Sequence, residues 1–478
     1  MAQTGVALAD APDVVGITAD SRLVAPGFVF AALPGARADG RRFIAEAVAR
    51  GAAAVLAPPG TAWPEGVARL PLIEDAAPRR RLAEFAARLA GPQPAHIAAV
   101  TGTNGKTSTV EFLRQLWQLG GHAAASIGTL GLVASGFDAG AGAGLTTPDP
   151  VTLANTLAAL ARGDITHVAM EASSHGLDQF RLDGVAVAAG AFTNLTRDHL
   201  DYHGDEAAYR AAKLRLFAEL LPPGAPALAN ADMDAATLDA LAAIAARRRL
   251  DFATVGEAGT MVRLLRAEPR PAGQVLTVRA DGTRHEIELP LPGRFQADNA
   301  LMAAALALAM GDPDALARLA ALRGVRGRME LAAQLPNGAA AYVDYAHTPD
   351  ALERLLTALR PHTARHLVVV FGAGGDRDSG KRPLMGAAAA RLADRIIVTD
   401  DNPRSEDPAA IRAAVAAACP GAVVIGDRAA AIAAGLAALG PGDVLAVAGK
   451  GHEQGQTIGA TVLPFDDATT VRRLAGLA

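Results

Sequence analysis

The stretch Ala99-Val100-Thr101-Gly102-Thr103-Asn104-Gly105-Lys106-Thr107-Ser108 constrains this chain more than any other. The apolar run Ile97 to Val100 reads as a short buried strand. A polar, glycine-bearing turn follows, then an amphipathic helical pattern from Thr107 to Leu119, closed by Gly120-Gly121. Strand, turn and helix start together make an anion cradle. Glycine lets the backbone approach closely, several N–H groups converge, and the helix dipole favours negative charge. Lys106 adds a full positive charge, and a hydroxyl at Thr107 or Ser108 can ligate Mg²⁺. The common spacing GxxxxGK[ST] is not met, because Val100 stands at its first glycine. The loop is a shorter variant, Gly102 to Thr107. A polar turn that merely caps a helix is the bland alternative; the combination points to a nucleoside triphosphate.

The chain of 478 residues has room for about three domains. Residues 1–90 alternate strand and helix and read as a small α/β domain, ending at Gly91-Pro92-Gln93-Pro94. Residues 91–327 carry the phosphate loop and form the nucleotide domain. Within it, 127–144 is glycine-rich with little periodic signal, and 250–290 alternates as antiparallel strands do. Residues 328–478 read as a doubly wound parallel sheet. The expected class is therefore α/β, in three domains. In the central domain, polar loops at 101, 171 and 193 each follow a strand pattern. In an open parallel sheet they gather at one edge, where ligands bind. The loop Gly372-Ala-Gly-Gly lacks the dinucleotide spacing G-x-G-x-x-G.

A net charge of −4 gives no electrostatic reason for a nucleic acid or an anionic membrane as partner. The single cysteine, Cys419, excludes an intramolecular disulfide and fits a reducing compartment. No signal peptide or membrane-spanning run is evident, so the expectation is a cytoplasmic protein without stable membrane insertion.

Phosphoryl transfer from a triphosphate at Lys106 requires a divalent cation, and Mg²⁺ prefers oxygen ligands. Thr107 offers a hydroxyl and Glu171 a carboxylate. His199 taken alone is a hydrogen-bonding loop histidine, and Lys213 on composition alone is a solvated surface lysine. These residues alone leave hydrolase and ligase open.

Ten motifs stand in order along the chain: TGTNGKTS (101–108), TTPDP (146–150), EASSHGLDQFR (171–181), NLTRDHLDYHG (194–204), YRAAKLRLF (209–217), GRME (327–330), DYAHTPD (344–350), GDRDSGKRP (375–383), DNPR (401–404) and AGKGHE (448–453). Together they resemble the Mur ligases of peptidoglycan assembly along essentially the whole length, in particular the branch that adds a diamino acid. The resemblance implies ATP-dependent ligation of meso-2,6-diaminopimelate to UDP-N-acetylmuramoyl-L-alanyl-D-glutamate through an acyl phosphate. It implies a monomer working in cytoplasmic cell-wall precursor synthesis, and with it cell shape and division.

Residue by residue, the resemblance assigns ATP to Gly102, Thr103, Asn104, Gly105, Lys106, Thr107 and Ser108, and its nucleoside to Asn299, Arg328, Asp344 and His347. Two Mg²⁺ ions are implied, Thr107 and Glu171 holding one and His199 helping to hold the other. Lys213 is expected to be carbamylated by CO₂, which turns a cation into an oxygen ligand near the second ion. Catalytic roles fall to Lys106, Glu171, His199 and Lys213. The UDP substrate is expected at Ala19, Ser21, Ala36, Arg37, Ala38, Thr146, Thr147, Ser173, Gln179 and Arg181. Diaminopimelate is expected at Arg377, Asp401, Asn402, Pro403, Arg404, Gly449 and Glu453, where the Arg404 guanidinium suits a distal carboxylate that L-lysine lacks. Two positions depart from the family: Leu145 and Gln296 stand where relatives often have Asn. Alternatives are the same ligation with L-lysine or another diamino acid, a related amide ligase such as folylpolyglutamate synthase, and a nucleotide-sensing P-loop NTPase that makes no amide bond.

Overall fold

A computed structural model describes residues 14–35, 38–134, 145–196, 198–270 and 272–477. The described chain falls into two compact units, one running up to Thr254 and including Met302–Pro313, the other Val255–Leu301 and from Asp314 on.

The first unit contains two sheets. Strands β1 (Gly16–Thr18), β2 (Phe28–Ala31), β3 (Ala54–Ala57) and β4 (Leu72–Glu74) form a parallel sheet in that order. Alternate side chains face opposite sides, as the pleat requires. Val29, Ala54 and Leu56 pack on Leu82 and Phe85 of the helix Pro78–Ala90, whereas Phe30, Val55 and Ala57 pack with Ile44 and Ala47.

The second sheet holds β5 (His96–Thr101), β6 (Ala124–Gly128), β7 (Gly131–Ala134), β8 (His167–Glu171), β9 (Ala189–Phe192) and β10 (Pro226–Asn230). Their order is β10-β9-β5-β8-β6-β7, parallel except for β7. Ile97 to Val100 are fully buried, as a near-continuous apolar strand at the centre of such a sheet should be. The carboxyl ends of β8, β5 and β9 therefore lie side by side, at Glu171, Thr101 and Phe192. This is the common edge expected for the loops at 101, 171 and 193. The helix Pro150–Arg162 starts as the TTPDP motif predicts: Pro150 sits in the first turn and the Asp149 carboxylate accepts from the N–H groups of Val151 and Thr152, each at 3.1 Å.

Two sequence-based readings need correction here. The glycine-rich segment from 127 is not uniformly irregular, because β6 and the antiparallel β7 occupy its start; 135–144 lies outside the described residues. Two short strands closed by one tight turn, Thr129-Leu130, are too brief to register as periodicity. Lys213, moreover, is not a surface lysine: it is 1% exposed.

Strand β11 (Asp251–Gly256) runs from the first unit into the second, where it pairs in parallel with β12 (Val262–Arg270). β13 (Gly273–Ala280) and β14 (Thr283–Leu289) continue from β12 as antiparallel hairpins, matching the alternation of 250–290. The remaining strands are β15 (Glu330–Gln334), β16 (Ala340–Asp344), β17 (Leu367–Phe371), β18 (Arg395–Val398), β19 (Val423–Val424) and β20 (Val444–Ala448), with a hairpin of β21 (Gly455–Ile458) and β22 (Thr461–Pro464). The six-stranded sheet has the order β15-β16-β20-β17-β18-β19 and is parallel except for β15. Helices cover both faces, giving two apolar clusters, one around Leu352, Leu356 and Phe371 and one around Val370, Ile432 and Leu445. The doubly wound reading of this region holds, with one antiparallel edge strand added.

Candidate active site

In the first unit, β5 ends at Thr101 and the helix Lys106–Leu119 begins after Gly105, whose φ of +85° is left-handed. Gly105 has no side chain with which to cap this helix, whose start is the kind of place where an anion binds. Gly102 (φ +140°) is irreplaceable on steric grounds: a Cβ there would lie 2.0 Å from Thr193 Oγ1. The loop is pinned from below by the segment after β9. Thr103 N–H donates to Asn194 O at 2.8 Å, Asn104 N–H to Asn194 Oδ1 at 3.0 Å, and Thr193 Oγ1 to Asn104 O at 2.6 Å. Lys106 Nζ folds back onto the carbonyls of Gly102 and Thr103, at 2.9 and 2.8 Å.

Glu171, at the end of β8, is 1% exposed. Its Oε1 accepts from Thr107 Oγ1 at 2.9 Å and from Thr129 N–H at 2.8 Å. Gly128 makes the approach possible, since a Cβ there would sit 2.2 Å from Glu171 Oε1. A hydroxyl and a carboxylate 2.9 Å apart beside an anion cradle form a hard oxygen donor set that fits Mg²⁺. The same strand end carries the expected UDP-substrate residues. Thr146 Oγ1 lies 3.2 Å from Thr129 Oγ1, Thr147 Oγ1 donates to Glu171 O at 2.9 Å, and Ser173 Oγ is 2.9 Å from Thr147 Oγ1. Arg181 donates to Thr147 O at 2.6 Å and to Gln179 Oε1 at 2.7 Å. Among the residues named from sequence, Thr107, Thr146, Thr147, Glu171, Ser173, Gln179 and Arg181 thus form one connected network.

Lys213 enters the same region from the helix Glu206–Arg215. Its Nζ donates to Gly102 O at 2.7 Å, the carbonyl that Lys106 also uses, and lies 4.5 Å from the centre of the Tyr209 ring. Burial, reinforced by the Lys106 charge and only partly opposed by Asp198, pushes its ammonium down to about 6. An isolated buried ammonium costs so much that losing the proton is the cheaper outcome. Tyr209 is also buried, and its hydroxyl donates to Thr103 Oγ1 at 3.1 Å. His199 stands at φ +51°, exposed, 3.5 Å from Asp198 Oδ2 and ring-to-ring with His175 at 4.9 Å. Thr129, Thr193, Asn194 and Tyr209 were not singled out as individual residues from sequence. Each acts through a partner tens of residues away, so no local pattern marks it.

Elsewhere in this unit, Ser21 is buried and donates to Glu46 Oε2 at 2.9 Å, next to exposed Ala19. Asp20 caps the turn and pairs with Arg22, which pulls the Asp20 carboxyl down to about 2. Ala38 is exposed; Ala36 and Arg37 lie outside the described residues.

The second unit gathers two further groups. Asp344 ends β16 and accepts from Met329 N–H at 2.7 Å and Ala346 N–H at 2.8 Å, while burial pushes its carboxyl up. The Arg328 guanidinium lies over the Tyr345 ring at 5.1 Å, and His347 stacks edge-on to that ring at 4.5 Å. Gln296 is fully buried and donates to Arg328 O at 3.3 Å, and Asn299 follows one helical turn later. Three expected nucleoside residues, Arg328, Asp344 and His347, with Gln296, thus lie around the end of β16 and the 324–330 linker, and Asn299 stands a helical turn beyond Gln296.

The second group lies beyond β18 and β20. Asp401 and Asn402 are buried, and Asn402 donates to Glu453 Oε2 at 2.9 Å. Arg404, with φ +51° after Pro403, donates from Nη1 to Gly375 O at 2.7 Å. Gly449 has φ +121°, and a Cβ on it would come 3.0 Å from Asp401 Oδ2. Arg377 is exposed on the loop after β17.

Comparison with known proteins identifies the family. Residues 13–89 match the family described as Mur ligase family, catalytic domain; 100–307 match the Mur ligase middle domain; and 327–451 match the Mur ligase, glutamate ligase domain. A protein of Caulobacter vibrioides named UDP-N-acetylmuramoyl-L-alanyl-D-glutamate–2,6-diaminopimelate ligase is 55% identical over 98% of this chain and 96% of its own length. One of the same name from Bradyrhizobium diazoefficiens is 53% identical over 96% and 94%. A solved structure bearing that name is 34% identical with a TM-score of 0.75, covering 97% of this chain and 95% of its own. A match to all three Mur ligase models and identity above one half over nearly the full length leave one assignment: the chain belongs to the Mur ligase family.

Proposed function

We propose that this protein is an ATP-dependent amide ligase that joins meso-2,6-diaminopimelate to UDP-N-acetylmuramoyl-L-alanyl-D-glutamate, in three functional segments with boundaries near residues 90 and 327. The observation that carries the reading is the convergence of the phosphate loop, Glu171 and the buried amine of Lys213 at one sheet edge. A nucleotide sensor has no need of a neutral lysine there.

The chemistry follows from the residues. The free D-glutamyl carboxylate oxygen attacks the γ-phosphorus of ATP, and the bond to the β–γ bridging oxygen breaks, releasing ADP. The acyl phosphate is then attacked by the amino group of diaminopimelate. The amide C–N bond forms, the C–O bond to phosphate breaks, inorganic phosphate leaves and the amine loses a proton. Lys106 and the N–H groups at the start of the helix Lys106–Leu119 hold the phosphates and offset the charge that develops on them. Thr147, Ser173, Gln179 and Arg181 orient the dipeptide end beside them.

Thr107 and Glu171 would hold one Mg²⁺, and His199 would help hold a second; bound there, the ions supply charge neutralisation during phosphoryl transfer. Carbamylation of Lys213 fits the same site, since CO₂ adds only to a neutral amine and the product is an oxygen donor. Arg404, with Arg377 as a second guanidinium, receives the distal carboxylate of diaminopimelate. Gly449 and Glu453 receive its distal ammonium through a carbonyl and a carboxylate, and Asp401, Asn402 and Pro403 complete the site. Asn299, Arg328, Asp344 and His347 take the nucleoside of ATP.

The test is product analysis by mass spectrometry. With ATP and the UDP-dipeptide, meso-diaminopimelate should yield the tripeptide nucleotide and stoichiometric ADP, and L-lysine little of either. ADP formed without an amino acid, and no new nucleotide, would favour the sensing NTPase instead.

A further inference from the structure

The loop Asp400–Arg404 leaves β18 and the loop Gly449–Glu453 leaves β20, but β17 lies between those two strands. Two buried cations connect the loops across that gap. Arg428 opens the helix Arg428–Ala437, and its side chain is wholly buried. Its Nη1 donates to Asp400 O at 3.2 Å and its Nη2 to Ala448 O at 3.0 Å, which are the last carbonyls before each loop's ligand-type residues. Nε and Nη2 also donate to Oδ1 and Oδ2 of Asp467, both at 2.7 Å, and the Asp467 side chain is equally buried. One planar fork therefore fixes a helix start and two strand ends at once, with its charge balanced. The second cation, Lys450, has no exposed surface. Its Nζ donates to Asn402 Oδ1 at 3.0 Å and Glu453 Oε2 at 3.3 Å, and lies 3.8 Å from Asp401 Oδ1.

We infer that Arg428 and Lys450 are positioning residues for the amino-acid substrate. Arg428 sets the spacing of the two loops through their backbone, and Lys450 sets the directions of the Asn402 and Glu453 side chains within that spacing. The inference rests on the reading that these loops receive diaminopimelate. A buried ion pair that serves stability alone is replaceable, often at little loss. Arg428 differs because half of its donations go to loop carbonyls. Lysine at 428 would keep the charge but lose the fork that reaches both carbonyls.

The test measures KM for all three substrates in the full-length Arg428→Lys, Lys450→Met and Arg404→Ala variants, with thermal unfolding of each. Arg428→Lys and Lys450→Met should each raise KM for meso-diaminopimelate about tenfold or more, as small misplacements at a reacting site do. KM for ATP and for the UDP-dipeptide should stay within about twofold. An unchanged diaminopimelate KM in both, with a raised one in Arg404→Ala, would overturn the positioning role and leave the reading of the site intact. An unchanged KM in Arg404→Ala would overturn that reading, and the inference with it. Three KM values rising together in step with lost thermal stability would also overturn it. If Arg428→Lys does not fold, Arg428→Gln combined with Asp467→Asn leaves no unpaired charge and takes its place, with the same outcomes.

Discussion

Lys213 and Lys450 are both buried lysines at the end of a parallel sheet, and their surroundings give them opposite chemistry. Lys213 meets a carbonyl, an aromatic face and a second lysine. Lys450 meets an amide oxygen and two carboxylates. Burial in the first environment disfavours a proton on the amine; the second surrounds the amine with acceptor oxygens. The residue type says nothing about which role applies. What separates them is whether carboxylates stand beside the buried amine, since burial alone disfavours an ammonium.

The largest effect is expected of Lys213→Ala, which should lower ligation by roughly 10³-fold or more, as loss of a main electrostatic element does. A short carboxylate such as acetate should restore part of the rate to Lys213→Ala and none to Lys450→Met. Full activity in Lys213→Ala would end the argument for a carbamate. Next in size is Arg404→Ala, for which KM for meso-diaminopimelate should rise on the order of 10²-fold with KM for ATP unmoved, because a buried carboxylate left unpaired discriminates strongly. Equal rates with L-lysine and diaminopimelate in the wild type would contradict it.

Gly128→Ala should lower kcat by roughly tenfold while the protein stays folded, since the new methyl group displaces the Glu171 carboxylate rather than backbone. A wild-type kcat would mean that the exact seat of Glu171 is unimportant. The smallest effect is on stability against pH. The folded-state pKa of Lys213 is about 6, against an ordinary 10.5. Between those values the unfolded chain holds the extra proton, so stability rises with pH across that window and the penalty is greatest near its lower end. In CO₂-free buffer, Tm of the wild type should therefore climb more steeply from about pH 6.5 to about pH 9 than Tm of Lys213→Met. Parallel slopes would place the Lys213 amine in a more polar setting than its contacts indicate.

The parts of the molecule legible in sequence were those whose physics is local. Apolar runs such as Ile97–Val100 and Leu367–Phe371 announce central parallel strands because both faces are covered, and Asp149-Pro150 announces a helix start because cap and first turn are adjacent. The strand-end logic then brought the loops at 101, 171 and 193 to one edge without further information. What escaped was non-local. The burial of Lys213 depends on how the helix Glu206–Arg215 meets the phosphate loop more than a hundred residues earlier. Thr129 matters because its N–H reaches Glu171, 42 positions on, and its hydroxyl reaches Thr146. Arg428 gives no signal at all, since its two carbonyl partners are ordinary backbone. The motif resemblance reached Lys213 where composition pointed to the surface.

The most direct test is to ask which lysine reacts with CO₂. Protein equilibrated with [¹³C]bicarbonate should give one carbamate carbon resonance by NMR, absent from Lys213→Gln and retained in Lys450→Met, and lost when CO₂ is removed together with ligase activity. A fully active enzyme with no carbamate resonance, or one that survives in Lys213→Gln, would contradict the assignment of a neutral, reactive amine to Lys213.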